Sequence, residues 1–162
     1  MSYPIKTGTK NAVLEIARLQ LGVIEFPANS NKVKYNEWYY GKPVSGQAYP
    51  WCMAFVQWVF SEAGFSLFRT ASCSALLSQY RKYAADQIVS SGYRAGDILL
   101  FDFSGKRSKT EHVGICPGCD GSYVYTIEGN TGSTSETNGG AVMERKRPIK
   151  YVTCGIRPKY KD

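Results

Sequence analysis

Two side chains have the types needed for nucleophilic catalysis: Cys52, a thiol that attacks carbonyls once ionised, and His112, the only histidine of the chain. They stand 60 positions apart, so only folding can join them. Cys52 opens a segment in which Cys52, Phe55, Val56, Val59, Phe60 and Ala63 recur at helical spacing, with Gly64 as the stop. A cysteine in the first turn of a helix meets unpaired N–H groups and the positive end of the dipole. These can bring its pKa from about 8.5 into a range of roughly 3.5 to 7.5. An arbitrary cysteine is more commonly a small buried hydrophobe. The helix-start position, with a base available elsewhere, favours the thiolate here.

A nucleophile and base also need a third group to orient the imidazole. His112 begins the run HVGIC and Glu128 ends SYVYTIE, and the turn-like PGCDG between them predicts a hairpin. Pairing Cys116 with Ser122 around that turn sets His112 opposite Thr126 and one diagonal step from Glu128. His112, Thr126, Glu128 and Asn130 are all even-numbered, so alternation points them to one face. Glu128 or Asn130 would then orient His112. The backbone N–H of Cys52 is a natural oxyanion donor, with Gln47 as a second candidate. Tyr49 and Trp51 are candidate substrate walls, as are the aromatics between Tyr35 and Tyr40, all of which could equally be packing anchors.

The elements that must position these groups read as helices followed by strands. Thr9 caps an expected helix to about Gly22, with Val13, Ile16, Ala17 and Leu21 facing the core. Residues 25–51 read as a long ordered loop with aromatic anchors, and a further helix is expected over Ser74–Ala85. The later runs ILLF, HVGIC, SYVYTIE, AVMERK and YVTCGI are rich in Val, Ile, Tyr and Thr. The expected fold is therefore α+β, with N-terminal helices packed on a C-terminal antiparallel sheet.

Composition narrows the class. The 162 residues fit one domain, 1–162, without a linker or repeat, and an apolar share of 43% suits a packed core. A net charge of +7 draws the chain toward polyanions, yet Lys and Arg are scattered. The densest group, Arg145-Lys146-Arg147, reads as a solvated surface, so no nucleic-acid partner is expected. No signal peptide is visible, and nothing approaches the roughly 18 apolar residues of a membrane span, so no membrane insertion is expected. Five cysteines, an odd number, weaken a disulfide framework. Cys73, Cys116, Cys119 and Cys154 could be counted as four zinc thiolates, but the CxxC spacing occurs only once and its PGC suits a hairpin tip, so no metal or other cofactor is expected.

Four segments resemble a known family, the cysteine, histidine-dependent amidohydrolases/peptidases or CHAP domains. They are WCMAFVQWVFSEAG around Cys52, GDILLFDF, EHVGI around His112, and IEGNTG with Glu128 and Asn130, and the likeness extends over about residues 10–158. The resemblance implies a papain-like fold, a Cys52, His112, Glu128, Asn130 quartet, and hydrolysis of an amide bond in bacterial peptidoglycan. That bond would be the N-acetylmuramoyl-L-alanine link or one in the stem or cross-bridge. Many relatives are phage or prophage endolysins, so action on the wall after release or export is implied; anionic wall polymers are expected as partners from the net charge, and a monomer is expected. Some relatives bind calcium through an aspartate-rich loop. The corresponding NSNKVKYNEWYYGKP carries Asn and Lys instead, which argues against that site. The alternative is a catalytically silent wall-binding module of the same fold.

Overall fold

The computed structural model describes residues 7–162, and its element order follows from local chemistry. The first helix, α1 (Lys10–Leu19), starts where the Thr9 hydroxyl accepts from the Ala12 N–H, and it buries Val13, Ile16 and Ala17. Leu21, expected on that stripe, lies past the helix end and is 41% exposed. The stretch expected as loop contains a second helix, α2 (Lys34–Tyr40), closed by Gly41 in the left-handed conformation. Its Asn and Pro neighbours hid it, because seven residues show barely two turns of periodicity. What holds α2 is tertiary: Tyr35 is fully buried, stacked on Trp51 at 5.6 Å and edge-on to Phe55 at 5.1 Å.

The helix α3 (Cys52–Glu62) runs through the core, with Cys52 to Gln57, Val59 and Phe60 all buried. The last helix, α4 (Cys73–Tyr83), begins where the Ser72 hydroxyl accepts from the Ala75 N–H. Six strands follow: β1 (Ile88–Val89), β2 (Ile98–Phe101), β3 (His112–Cys119), β4 (Tyr123–Thr131), β5 (Ala141–Pro148) and β6 (Val152–Ile156). They form one antiparallel sheet in the order β1-β6-β2-β3-β4-β5, which makes this the expected α+β fold. No helix among the described residues is long and apolar enough to cross a membrane.

The register of β3 on β4 differs from the sequence expectation. Ile115 faces Ile127 instead of Tyr123, a slip of four residues, and the register shifts again between Ile115 and Gly118. The turn lies later than PGC. Asp120 makes it, accepting from the N–H groups of Ser122 at 3.1 Å and Tyr123 at 2.9 Å, while Cys116 to Cys119 remain in β3. A slip by an even number preserves which face each side chain takes, so the shared face of His112 and Glu128 survives the error.

Candidate active site

Cys52 stands at the first position of α3, where its N–H has no partner within the helix, and it is 9% exposed. It lines a cavity of about 570 Å³ together with Gln47, Cys73, Thr137 and Asn138. The helix lies close on β4 because residue 129 is glycine. A Cβ there would come within 2.6 Å of the Phe55 side chain and 3.0 Å of Trp51. The glycine between Glu128 and Asn130 is thus the gap into which α3 settles.

His112 is fully buried at the start of β3, and its Nε2 lies 2.8 Å from Oε1 of Glu128. An ionised carboxylate only accepts, so Nε2 carries the proton and donates it. Nδ1 is buried with no partner at hydrogen-bond distance, and Cys52 is the other ionisable group that acts on the ring. Room for this line of groups comes from Gly114. A Cβ at that position would approach Glu128 Cγ to 2.7 Å and Thr126 Cβ to 2.9 Å.

Glu128 is held from every side. Thr126 Oγ1 donates to Oε2 at 2.5 Å, and Arg147 donates through Nε to Oε2 at 3.1 Å and through Nη2 to Oε1 at 2.6 Å. Arg147 also meets Glu136, and its guanidinium lies 4.8 Å from the Phe103 ring centre. This arginine corrects the reading of Arg145-Lys146-Arg147 as a solvated run, for it is only 5% exposed. It was missed because the relevant signal is register. Arg147 pairs with Val124 across β4 and β5, which puts it on the face of Thr126 and Glu128.

The electrostatics follow from these contacts. Burial disfavours charge on Glu128, but hydrogen bonds from His112 and Arg147 outweigh it and bring the carboxyl down to about 2. Burial likewise opposes charge on His112, and the Cys52 thiolate and the hydrogen-bonded Glu128 carboxylate overcome it, raising the imidazolium to about 9. Cys52 is pulled well below the usual thiol range, first by a hydrogen bond from the Cys73 thiol and then, against burial, by His112. The pair can therefore rest as thiolate and imidazolium near neutral pH.

The other expected residues divide. Asn130 is buried on the same strand with φ 56°, but its Oδ1 accepts from the Gly140 N–H at 3.1 Å and its Nδ2 faces Asn138 at 3.5 Å. It braces the β4–β5 loop that rims the cavity and does not bond to His112. Gln47 is exposed on the cavity rim. Tyr49 packs edge-on against Tyr40 at 5.0 Å and is not part of the lining. Trp51 is fully buried in the core, so it cannot serve as a substrate wall. Cys73, considered only as a metal thiolate, is the neighbour of Cys52. No group of three or more His, Cys, Asp or Glu able to hold a metal gathers among the described residues.

Similar proteins agree with this architecture. The wild-type endolysin LysIME-EF1 superposes with a TM-score of 0.61 at 16% identity, over 94% of this chain and 65% of that one. Ly7917 superposes with a TM-score of 0.53 at 17% identity, over 93% of this chain and 62% of that one. The chain thus spans less than two thirds of either protein, and at such identities the likeness concerns the fold. No curated protein matches the chain. The model of the CHAP domain matches residues 44–130, more than half of the 162 residues. That stretch holds α3, β2, β3 and all but the last residue of β4, and the chain belongs to the CHAP domain family.

Proposed function

We propose that this protein is a peptidoglycan hydrolase that cleaves an amide bond with Cys52 as nucleophile, His112 as acid and base, and Glu128 as the orienting carboxylate. The observation that carries this reading is the buried line from the cavity wall inward: Cys52, His112, Glu128 and Arg147. The Cys52 thiolate attacks the carbonyl carbon, and the Cys52 N–H, with the side-chain amide of Gln47 from the rim, donates hydrogen bonds to the growing oxyanion. His112 gives its Nδ1 proton to the departing amine, leaving a thioester. It then takes a proton from water, whose oxygen displaces the sulfur and restores the thiolate. Glu128 keeps the imidazole in the tautomer and plane this requires. The net charge of +7 suits approach to anionic wall polymers.

Two bonds fit this chemistry, the link from N-acetylmuramic acid to L-alanine and a peptide bond of the stem or cross-bridge. Mass spectrometry of fragments released from purified peptidoglycan separates them. Free L-alanine amino groups beside intact glycans identify an amidase, and new N-termini within peptides identify an endopeptidase. Equal release by wild type and Cys52→Ala, or no release by the wild type, overturns the proposal in favour of a wall-binding module.

A further inference from the structure

A second cavity of about 470 Å³ adjoins the first, for Ser74, Thr110 and Glu111 line both. Its distinguishing feature is charge. Arg81, Arg107 and Lys109 line it, against the single carboxylate of Glu111. The Arg107 guanidinium is fixed in place, since Nε donates to the Val152 carbonyl at 2.9 Å and Nη2 to the Ser90 carbonyl at 2.8 Å. Those partners are neutral, so its positive charge is held rigid and left uncompensated. Neither Arg81 nor Lys109 makes an ion pair among the described residues. Glu111 is partly occupied, accepting from the Phe103 N–H at 2.7 Å. Buried Leu77 also lines the cavity and offers an apolar surface beside the charges.

We infer that this second cavity is a carboxylate-binding subsite of the catalytic cleft, in which Arg81, Arg107 and Lys109 receive a free carboxylate of the peptide being cut. This rests on the hydrolase reading above. The peptide stems of peptidoglycan carry free carboxylates at side chains and at their ends, a few residues from any bond that could occupy Cys52. A rigid guanidinium flanked by two exposed, unpaired cations suits such a group, with Arg supplying paired donors and Lys a point charge. The shared wall of Ser74, Thr110 and Glu111 sets this cavity directly beside the one that holds Cys52, which favours a substrate carboxylate over an unrelated anion.

The test compares release of soluble fragments from purified peptidoglycan, untreated or with its carboxylates converted to amides by a water-soluble carbodiimide and ammonia. Wild type is expected to cut the untreated wall about fivefold faster, the scale of one or two solvent-screened charge contacts. Arg81→Gln/Lys109→Gln is expected to cut both at the slower rate, and Arg81→Lys/Lys109→Arg to recover the preference. Lys42→Gln/Lys150→Gln removes the same charge outside the cavity and is expected to keep the preference. Equal cutting of the two walls by wild type, a preference surviving in Arg81→Gln/Lys109→Gln, or one lost equally in Lys42→Gln/Lys150→Gln overturns the subsite. Absence of release from the untreated wall by wild type overturns the hydrolase reading itself. Equal rates of Cys52 alkylation in all variants establish that they are folded around an intact site.

Discussion

Two buried thiols lie along β3, Cys52 beside its first residue and Cys116 in its middle, and the difference between them teaches what activates a cysteine. At the start of the strand, Cys52 meets His112 and the Cys73 thiol, and its pKa falls well below the ordinary range. In mid-strand Cys116 is also buried, but its Sγ donates to the Gly118 carbonyl at 3.1 Å and its pKa is pushed up to about 12, chiefly by burial. Burial alone therefore silences a thiol, and a donor plus a positive charge reverses the direction. The protein hydrogen bonds that Glu128 accepts extend that reversal inward. Arg147 keeps Glu128 ionised, Glu128 keeps His112 charged, and His112 keeps the sulfur anionic.

The comparison breaks most completely at its first link. Cys52→Ala and His112→Ala should each lower the rate of fragment release by about 10⁴-fold, the usual consequence of removing one member of a nucleophile and base pair. Retention of a tenth of the activity by either variant would remove that residue from the chemistry. Next in size is Arg147→Gln, which strands the buried Glu128 carboxylate. It should cost about 3 kcal/mol of stability, seen as a fall of about 9 °C in Tm, and Arg147→Lys should recover part of it.

The charge relation also predicts a pH profile. His112 has its pKa raised to about 9, above the roughly 6.5 of an unfolded chain. Its stabilising contribution is therefore complete below about 6.5 and is lost as pH rises through about 9. The raised histidine and lowered thiol express one ion pair, so they count once. The rate kcat/KM should fall on the alkaline side near 9, because the leaving amine then lacks its proton donor. A limb near 6.5 instead would mean that Cys52 and His112 are not coupled. Glu128, lowered to about 2, contributes fully above about 4.3 and is lost only as pH falls through about 2.

Smaller effects sharpen the contrast between the thiols. Cys73→Ala removes the first support of the Cys52 thiolate and should reduce kcat/KM about fivefold at pH 6, the worth of one hydrogen bond, with little change at pH 8. Cys116→Ala should leave the rate within about twofold, since that thiol lies outside the buried line. Iodoacetamide at neutral pH should alkylate Cys52 well before Cys116, followed by peptide mass mapping.

Much of the site was legible in linear order because it rests on alternation and helical period. The stripe beginning at Cys52 put that thiol at a helix start, where α3 carries it. The even numbering of His112, Thr126 and Glu128 placed them on one face even though the assumed register was off by four residues. Trp51 and Tyr49 were less legible, because an aromatic near a site is equally suited to the core, and only packing against Tyr35 and Tyr40 decided between them. Asn130 shares the strand and face, yet the β4–β5 loop claims its side chain.

By itself the sequence determined the helices-then-strands order, the helix that carries Cys52, and the parity that puts a carboxylate beside the sole histidine. These depend on neighbours within one strand or helix turn, where covalent geometry limits the choices. Only the tertiary structure decided the register of β3 on β4, the entry of Arg147 into the buried chain, the pairing of Cys73 with Cys52, and the cationic cavity beside the cleft. Each of these brings together residues distant in the chain. Their contact depends on how close α3 and α4 come to the sheet, and for α3 that distance is set by the missing side chain at Gly129.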